Sequence, residues 1–313
     1  MQIFRDLSET QLTSPTVLTI GTFDGIHRGH QALIAKINRS AQNQQAQSAV
    51  LAFHPRPKAI FAPHKFNNDY LSTPEERIAY FEALGLDILL LIPFTPEISQ
   101  VQAYDFVKIL VNQLKMVELW AGYDFALGKD RAGDVDTLRT WGKTFNYRLS
   151  DIEPVIIDGK AVSSTRIRKM LQMGDVAGAT NLLGRYPSIQ GTIVKGHQRG
   201  RTIGFPTANL DTPPERLIPA NGVYATFVQR PGDPYKLPSV TNIGVRPSFE
   251  GDAPTRTIEA HIFDFAEDIY DQTVTLEFVQ HLRPEKKFDG IDALIAQIGQ
   301  DADQARALLA ETV

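Results

Sequence analysis

The stretch Val17-Leu18-Thr19-Ile20-Gly21-Thr22-Phe23-Asp24-Gly25-Ile26-His27-Arg28-Gly29-His30 decides how the first half of this chain folds. Residues 17–20 are rich in β-branched side chains and predict a short strand that ends at Gly21. Residues 31–37 carry Leu33, Ile34 and Ile37 at helical spacing and predict a helix. A strand that passes into a helix through such a turn offers an anion the helix's unpaired N–H groups and its partial positive charge. Gly21 and Gly25 let the backbone come close to that ligand. His27 and His30 stand about one turn apart and project to one side.

Their spacing is not that of the HExxH zinc pair, and the chain has no cysteine to complete a zinc site. Two alternatives stay open on the residues alone. They are either core histidines or imidazoles aimed at charge that develops on a nucleotide α-phosphate, and the flanking glycines favour the second.

The segment from Gly21 to His30 resembles the signature of the nucleotidyltransferase superfamily, in the form found in bacterial FAD synthetases. The second hallmark of that superfamily is Ser-Ser-Thr-x-x-Arg, and Ser163-Ser164-Thr165-Arg166-Ile167-Arg168 reproduces it about 140 residues later. The resemblance implies nucleotide contacts from Gly21, Phe23, Asp24, Gly25, His27, His30, Ser163, Ser164, Thr165 and Arg168, with His27, His30 and Arg168 catalytic. The chemistry suits those roles. Hydroxyls ahead of a helix at 167–171 can cap it or hold phosphate oxygens, and Arg168 offers a planar fork for bidentate phosphate binding. Phe53-His54-Pro55-Arg56-Pro57 resembles the family's flavin-lining segment, with Arg56 where histidine is usual. Pro55, Arg56 and Pro57 are therefore expected at the flavin, with Arg56 toward the FMN phosphate. Gly122-Tyr123-Asp124-Phe125-Ala126-Leu127-Gly128 is similar to a further family pattern, with Leu127 in place of a phenylalanine, and Asp124 is expected to meet the nucleotide or a metal.

Composition bounds the class. The chain has 313 residues, 42% hydrophobic and 22% charged, which describes a soluble protein of two domains. A net charge of −4 supplies no global basic field for nucleic acid. No apolar run reaches membrane-spanning length, and residues at the start lack a secretory pattern. Zero cysteines exclude disulfides and thiolate metal sites, and a cytoplasmic location is the default expectation.

The texture changes near Gly184-Arg185-Tyr186-Pro187, which sets the expected domains at 1–184 and 185–313. Before it, apolar runs at 49–53, 88–92 and 118–121 alternate with helical patterns at 74–84, 103–116 and 135–144. This predicts an α/β domain with a parallel sheet covered on both faces, and the resemblance implies a nucleotidyltransferase-like Rossmann variant. No GxGxxG fingerprint is present, so an NAD-type enzyme is not expected. After it, short strands at 188–194, 222–229, 239–244, 257–263 and 273–279 predict a small closed β-barrel. Two terminal helices follow, with Asp289 and Asp301 as their expected N-caps.

The second half carries Gly196-His197-Gln198-Arg199-Gly200-Arg201-Thr202-Ile203-Gly204-Phe205-Pro206-Thr207-Ala208-Asn209. Glycine-rich backbone can cradle phosphate, and a threonine hydroxyl with an asparagine carbonyl are hard oxygen donors suited to Mg2+. The Pro-Thr-Ala-Asn turn resembles the hallmark of the riboflavin kinase module. That resemblance implies phosphate contacts from Gly200, Arg201 and Gly204 and a metal site at Thr207 and Asn209. Asn242-Ile243-Gly244-Val245-Arg246-Pro247 and Ile258-Glu259-Ala260-His261 are similar to further segments of the module. They imply flavin contacts from Asn242, Arg246 and Glu259, with Glu259 as the catalytic carboxylate. Alternation along the strand places Glu259 with Thr257 and His261, opposite Ile258, Ala260 and Ile262.

The resemblance spans nearly the whole chain and implies a bifunctional enzyme of flavin cofactor synthesis. Its substrates and products would be riboflavin, FMN, FAD and ATP, with Mg2+ as cofactor. The expected partners are these small molecules, with no nucleic acid, no membrane and at most a weak homo-oligomer. Two rivals are an enzyme with one live site, its other domain a flavin-binding regulator, and a non-catalytic flavin- or RNA-binding regulator. The second lacks any basic patch with interleaved aromatics.

Overall fold

The chain divides into two compact units, Met1–Ser164 and Thr165–Val313. The computed structural model of the protein describes residues 1–8, 10–61, 69–196, 200, 203–246 and 255–311, the side chains of Arg246 and Thr255 excepted.

In the first unit β1 (Gln2–Phe4), β2 (Thr16–Gly21), β3 (Gln47–Phe53), β4 (Ile88–Ile92) and β5 (Met116–Gly122) come first. A short ribbon of β6 (Ala126–Leu127) and β7 (Gly133–Asp134) follows, then β8 (Arg148–Ile152), then a second ribbon of β9 (Ile156–Ile157) and β10 (Lys160–Ala161). Six of these strands form a parallel sheet in the order β1-β4-β3-β2-β5-β8. Neighbouring residues of one strand feed opposite cores. Leu18, Leu51 and Leu90 pack with Phe106, Val107 and Leu110 of the helix Ala103–Asn112. Val17, Val50 and Leu89 pack on the other face, with Leu33, Ile34 and Ile37 of the helix Arg28–Asn43 and Phe81 of the helix Pro74–Ala83. All five residues of β4 are buried as a result, which is why that strand shows no polar alternation.

Strands β2, β3 and β4 advance toward one edge, and β5 then returns to the other side of β2. Ligands of such sheets sit beyond the carboxyl ends of the strands at that reversal. Here β2 ends at Gly21 and the chain turns into the helix Arg28–Asn43. That helix begins three residues earlier than the spacing of 31–37 predicts, because His27 itself caps it. Strands β1 and β8, too short or too polar to stand out by pattern, extend the sheet at both edges.

A buried carboxylate stitches β2's flanking helix to the far edge of the sheet. Glu118 of β5 is wholly buried and accepts from Ser40 Oγ at 2.5 Å, Gln44 Nε2 at 2.5 Å and Arg148 Nη2 at 2.6 Å, and also from Ser150 Oγ. Burial pushes its carboxyl up, but the hydrogen bonds from Ser150, Ser40, Arg148 and Gln44 outweigh burial and hold it below its ordinary value. A carboxylate with a depressed folded pKa stabilises the fold above its unfolded value of about 4.3 and loses that contribution as pH falls further. Glu118→Ala leaves the buried Ser40 hydroxyl without its acceptor while the exposed Arg148 and Gln44 turn to water, and should cost about 1–3 kcal/mol at pH 7, a difference that shrinks on acidification. Both tryptophans, Trp120 and Trp141, lie in this unit, so urea unfolding followed by their fluorescence at pH 7 and pH 4 measures it.

The second unit is a closed antiparallel barrel of β11 (Ser188–Val194), β12 (Ala208–Asp211), β13 (Gly222–Gln229), β14 (Lys236–Arg246), β15 (Thr255–Ile262) and β16 (Thr273–Arg283), in the order β11-β12-β15-β14-β13-β16. Closure through β11 and β16 removes both sheet edges. Val223, Ala225 and Phe227 of β13 pack outward against Ala302, Ala305 and Leu309 of the helix Ile291–Ala310. Alternate residues Tyr224 and Thr226 are wholly buried on the other side of that strand. The two terminal helices expected at the end of the chain are one continuous helix, begun at Gly290 rather than Asp289. Asp301 caps nothing. It sits buried in mid-helix, where Arg283 of β16 binds it with Nε at 2.9 Å and Nη2 at 2.6 Å.

Candidate functional site

The loop between β2 and its helix is held in a conformation that side chains seldom adopt. Phe23, Gly25 and Ile26 have φ of 48°, 84° and 37°, so three residues in four lie in the left-handed region. A Cβ on Gly25 would also meet Leu71 at 2.9 Å. Such a loop persists only where its surroundings over-determine it, and the braces are visible. Asp24 is 1% exposed, and its carboxylate accepts from the backbone N–H groups of Leu71 and Ser72 at 2.9 and 3.0 Å. The Ser72 hydroxyl donates to Asp24 and accepts from the Gly25 N–H at 2.8 Å. Ser164, from the second motif, donates to the Asp24 carbonyl at 2.9 Å across 140 residues of sequence. Phe23 is buried and packs its ring on Phe81 and His30, at centroid distances of 5.6 and 4.9 Å.

His27 and His30 come together at the helix start. His27 is the N-cap, and its Nδ1 accepts from the His30 backbone N–H at 3.3 Å. The two rings stack with centroids 3.7 Å apart and planes 15° off parallel. With Nδ1 acting as acceptor, the proton of a neutral His27 lies on Nε2. The pair therefore stands at the positive end of a 16-residue helix, where an anion is favoured.

Ser163 and Ser164 lie at the end of the first unit, while Thr165 and Arg168 lie on the helix Ser164–Gln172 that enters the second. Asp124 lies exposed just beyond β5, and its backbone carbonyl accepts from Arg131 at 2.7 Å. Leu127, the departure from the family pattern next to it, is buried in the core with Ala103 and Phe106, so its exchange is a matter of packing. Arg56 departs in a different way. It is 6% exposed, ion-paired with Asp69, 3.9 Å from Asp24 and 4.7 Å from the Tyr70 ring. Its guanidinium thus joins the 53–57 segment to the brace of the loop after β2.

Two residues outside every motif share that task. Ser72 is one, bonded to both Asp24 and the Gly25 N–H. Arg77, on the helix Pro74–Ala83, is 1% exposed and donates from Nη1 to the Thr22 carbonyl at 3.0 Å and toward the Phe53 carbonyl at 3.5 Å. One guanidinium so touches the backbone of both loops. Burial lowers its pKa while the Coulombic attraction of Asp24 opposes that shift. The sequence signal nearest to them was the capping box of Thr73 and Glu76 with Pro74, which announces a helix start and nothing more.

The barrel brings a second group together. Asn209 of β12 pairs directly with Glu259 of β15, and Glu259 pairs on its other side with Asn242 of β14. Opposite residues of adjacent strands share a face with Cβ atoms about 5 Å apart, so the three polar side chains form one row. The expected alternation holds, with Ile258, Ala260 and Ile262 buried on the opposite side. Ahead of Asn209 the turn is tightly bracketed. A Cβ on Gly196 would lie 2.3 Å from the Asn209 amide, and one on Gly200 would lie 2.2 Å from the Phe205 carbonyl and 3.4 Å from the Thr207 hydroxyl. Gly204 takes a φ of 86°. Arg201 lies outside the described residues, as do 197–199, 202 and 247–254, and so does the side chain of Arg246. Among the described residues no three His, Asp or Glu side chains converge to hold a metal.

Comparison with known proteins follows the same division. The family described as FAD synthetase matches residues 9–166, and the family described as riboflavin kinase matches residues 183–309. A bifunctional riboflavin kinase/FMN adenylyltransferase of Pseudomonas fluorescens is 38% identical over 94% of this chain and 93% of its own length. Its namesake from Haemophilus influenzae is 34% identical over 98% of this chain and 99% of its own. A crystal structure from Streptococcus pneumoniae, titled macrolide-efflux protein, has 30% sequence identity and a TM-score of 0.86, covering 97% of this chain and 98% of that one. That likeness speaks to the fold of both halves. No helix among the described residues of this chain is long and apolar enough to cross a membrane.

Proposed function

The chain belongs to the family of bifunctional riboflavin kinase/FMN adenylyltransferases, and from that membership we propose how its residues carry the two reactions. It phosphorylates riboflavin with ATP in its C-terminal part and adenylylates FMN to FAD in its N-terminal part. The functional modules are taken as 1–184 and 185–313.

In the kinase, Glu259 takes the proton of the ribityl 5′-hydroxyl as that oxygen attacks the γ-phosphorus of ATP, and ADP leaves. Asn242 and Arg246 hold the flavin, and Gly200, Arg201 and Gly204 lie along the phosphates. Thr207 and Asn209 fit Mg2+, since a hydroxyl and an amide carbonyl with substrate phosphates make the sparse oxygen set that ion accepts. When bound, the ion would offset the charge of the phosphates. In the adenylyltransferase, a phosphate oxygen of FMN attacks the α-phosphorus of ATP and pyrophosphate leaves. No protein nucleophile is needed, because the attacking group is already an anion. His27, His30, Ser164 and Arg168 align the phosphates and stabilise their charge. Gly21, Phe23, Asp24 and Gly25 shape the loop, and Ser163, Thr165 and Asp124 complete the nucleotide contacts. Pro55 and Pro57 line the flavin, and Arg56 serves that site by bracing it.

One observation carries this assignment. Motif residues far apart in the chain are brought together twice, once where Ser164 of the second motif bonds the Asp24 carbonyl beside the His27–His30 pair and once as a row of Asn209, Glu259 and Asn242. The partners are small molecules, and a net charge of −4 supports leaving out nucleic acid. We place the enzyme in the cytoplasm, where ATP is supplied, free of the membrane and at most weakly self-associated. Incubation with riboflavin, ATP and Mg2+ should show FMN rising first and FAD following, separated by chromatography. FMN that never becomes FAD would remove the first site from this account, and unchanged riboflavin would remove the second.

A further inference from the structure

Strand β12 stops at Ala208, although its partner β15 runs on to Ile262. The pairs Ala208↔Ala260 and Asn209↔Glu259 fix the register, so the next positions outward set Thr207 against His261 and Pro206 against Ile262. The ladder cannot continue there, since Pro206 has no N–H to donate. Its carbonyl still needs a donor. His261 supplies one from its side chain, with Nδ1 2.8 Å from the Pro206 carbonyl oxygen. A carbonyl only accepts, so Nδ1 carries the proton. Phe205 and Phe263 flank the ring, with centroids 5.4 and 5.8 Å away, and fix its plane.

We propose that His261 is a positioning residue for riboflavin phosphorylation, holding in place the turn that carries Thr207 into Asn209. The inference rests on the kinase assignment of the barrel. His261 does not transfer the proton that Glu259 takes. Its work is to replace the ladder bond that proline removes, two residues from Glu259 on the same face of β15. The same turn is closed from inside by the Phe205 N–H, which donates to the Gly200 carbonyl at 2.8 Å. That amide reports directly on whether the turn stays shut.

Two variants of the full chain separate the hydrogen bond from the ring. H261F keeps the aromatic contacts and loses the donor, while H261N sets an amide N–H near the place of Nδ1. In H261F, hydrogen exchange of ligand-free protein should rise about five- to tenfold at the Phe205 amide, and riboflavin kinase kcat/KM for ATP should fall by a similar factor. H261N should stay within about twofold of wild type in both. In the wild type, nitrogen NMR of the imidazole should show the neutral ring protonated at Nδ1. If exchange rises across the whole barrel in H261F, H261N decides, its rescue supporting the proposal and its failure overturning it. An H261F variant that keeps both turn protection and kcat/KM overturns it outright. A wild-type protein that makes no FMN sinks the kinase assignment and the proposal with it, an outcome read before any variant is made.

Discussion

Glu259→Gln should lower riboflavin phosphorylation by about 10²- to 10⁴-fold while the same molecules still convert supplied FMN to FAD at the wild-type rate. The substitution keeps the size and removes the negative charge and with it the capacity to take a proton. Stability should barely move, because Glu259 lies on the wetter face of β15, with the buried Ile258 and Ala260 turned the other way. Asn209 and Asn242 remain in register on either side, and in the proposed assignment they continue to serve the metal and the flavin. The loss should therefore fall on kcat, with KM for riboflavin near its wild-type value. A general carboxylate contribution to binding would show the reverse, a raised KM at unchanged kcat. Phosphoryl transfer asks a protein chiefly for alignment, so an effect at the lower end of the range is consistent with base catalysis. A kcat within about threefold of wild type would take Glu259 out of the role. The first unit supplies the internal control, since its activity reports on the same preparation.

The parts of this molecule that were legible in the sequence are those whose signal is local. Apolar runs such as 88–92 and the β-branched run before Gly21 mark strands of a doubly covered sheet, and alternation around Glu259 tells its face. Errors arise where a distant partner changes what a residue does. Asp301 precedes an apolar-patterned segment and so looks like an N-cap, but Arg283 on β16 turns it into a buried ion pair and the helix runs through it. His27 is a rare cap, which is why the helix start is misplaced by three residues. Arg56, expected toward the FMN phosphate, has in addition Asp69 and Asp24 as acidic neighbours that its position in the motif does not announce. Ser72 and Arg77 leave no trace at all, because bonds to Gly25, Asp24 and Thr22 span 47, 48 and 55 residues. Long-range hydrogen bonds of this kind have no spacing rule to betray them.

Replacing both His27 and His30 by alanine should abolish FAD formation and leave FMN formation intact. In the proposed assignment each imidazole meets charge on the α-phosphate and the departing pyrophosphate, and losing one such donor typically costs about 10²- to 10³-fold. The two losses together should fall below detection, although groups that act as a unit do not add. His27 also has a structural duty, because it caps the helix Arg28–Asn43 through the His30 N–H. Its loss to alanine alone would cost about 1 kcal/mol of stability, which a chemical account must not borrow. His27→Asn separates the two. Asparagine is a strong N-cap that can accept from the same N–H, so the helix and its brace through Gly25 and Ser72 should persist. If His27→Asn loses FAD synthesis while the fluorescence of Trp120 and Trp141 shows an unchanged unfolding midpoint, the imidazole is acting on the phosphates. If His27→Asn restores the activity that His27→Ala loses, the residue is a cap and His30 carries the chemistry alone. The stacked geometry favours the first outcome, since a ring needed only as a cap would have no reason to lie 3.7 Å over its neighbour at a helix end that faces the carboxyl edge of the sheet.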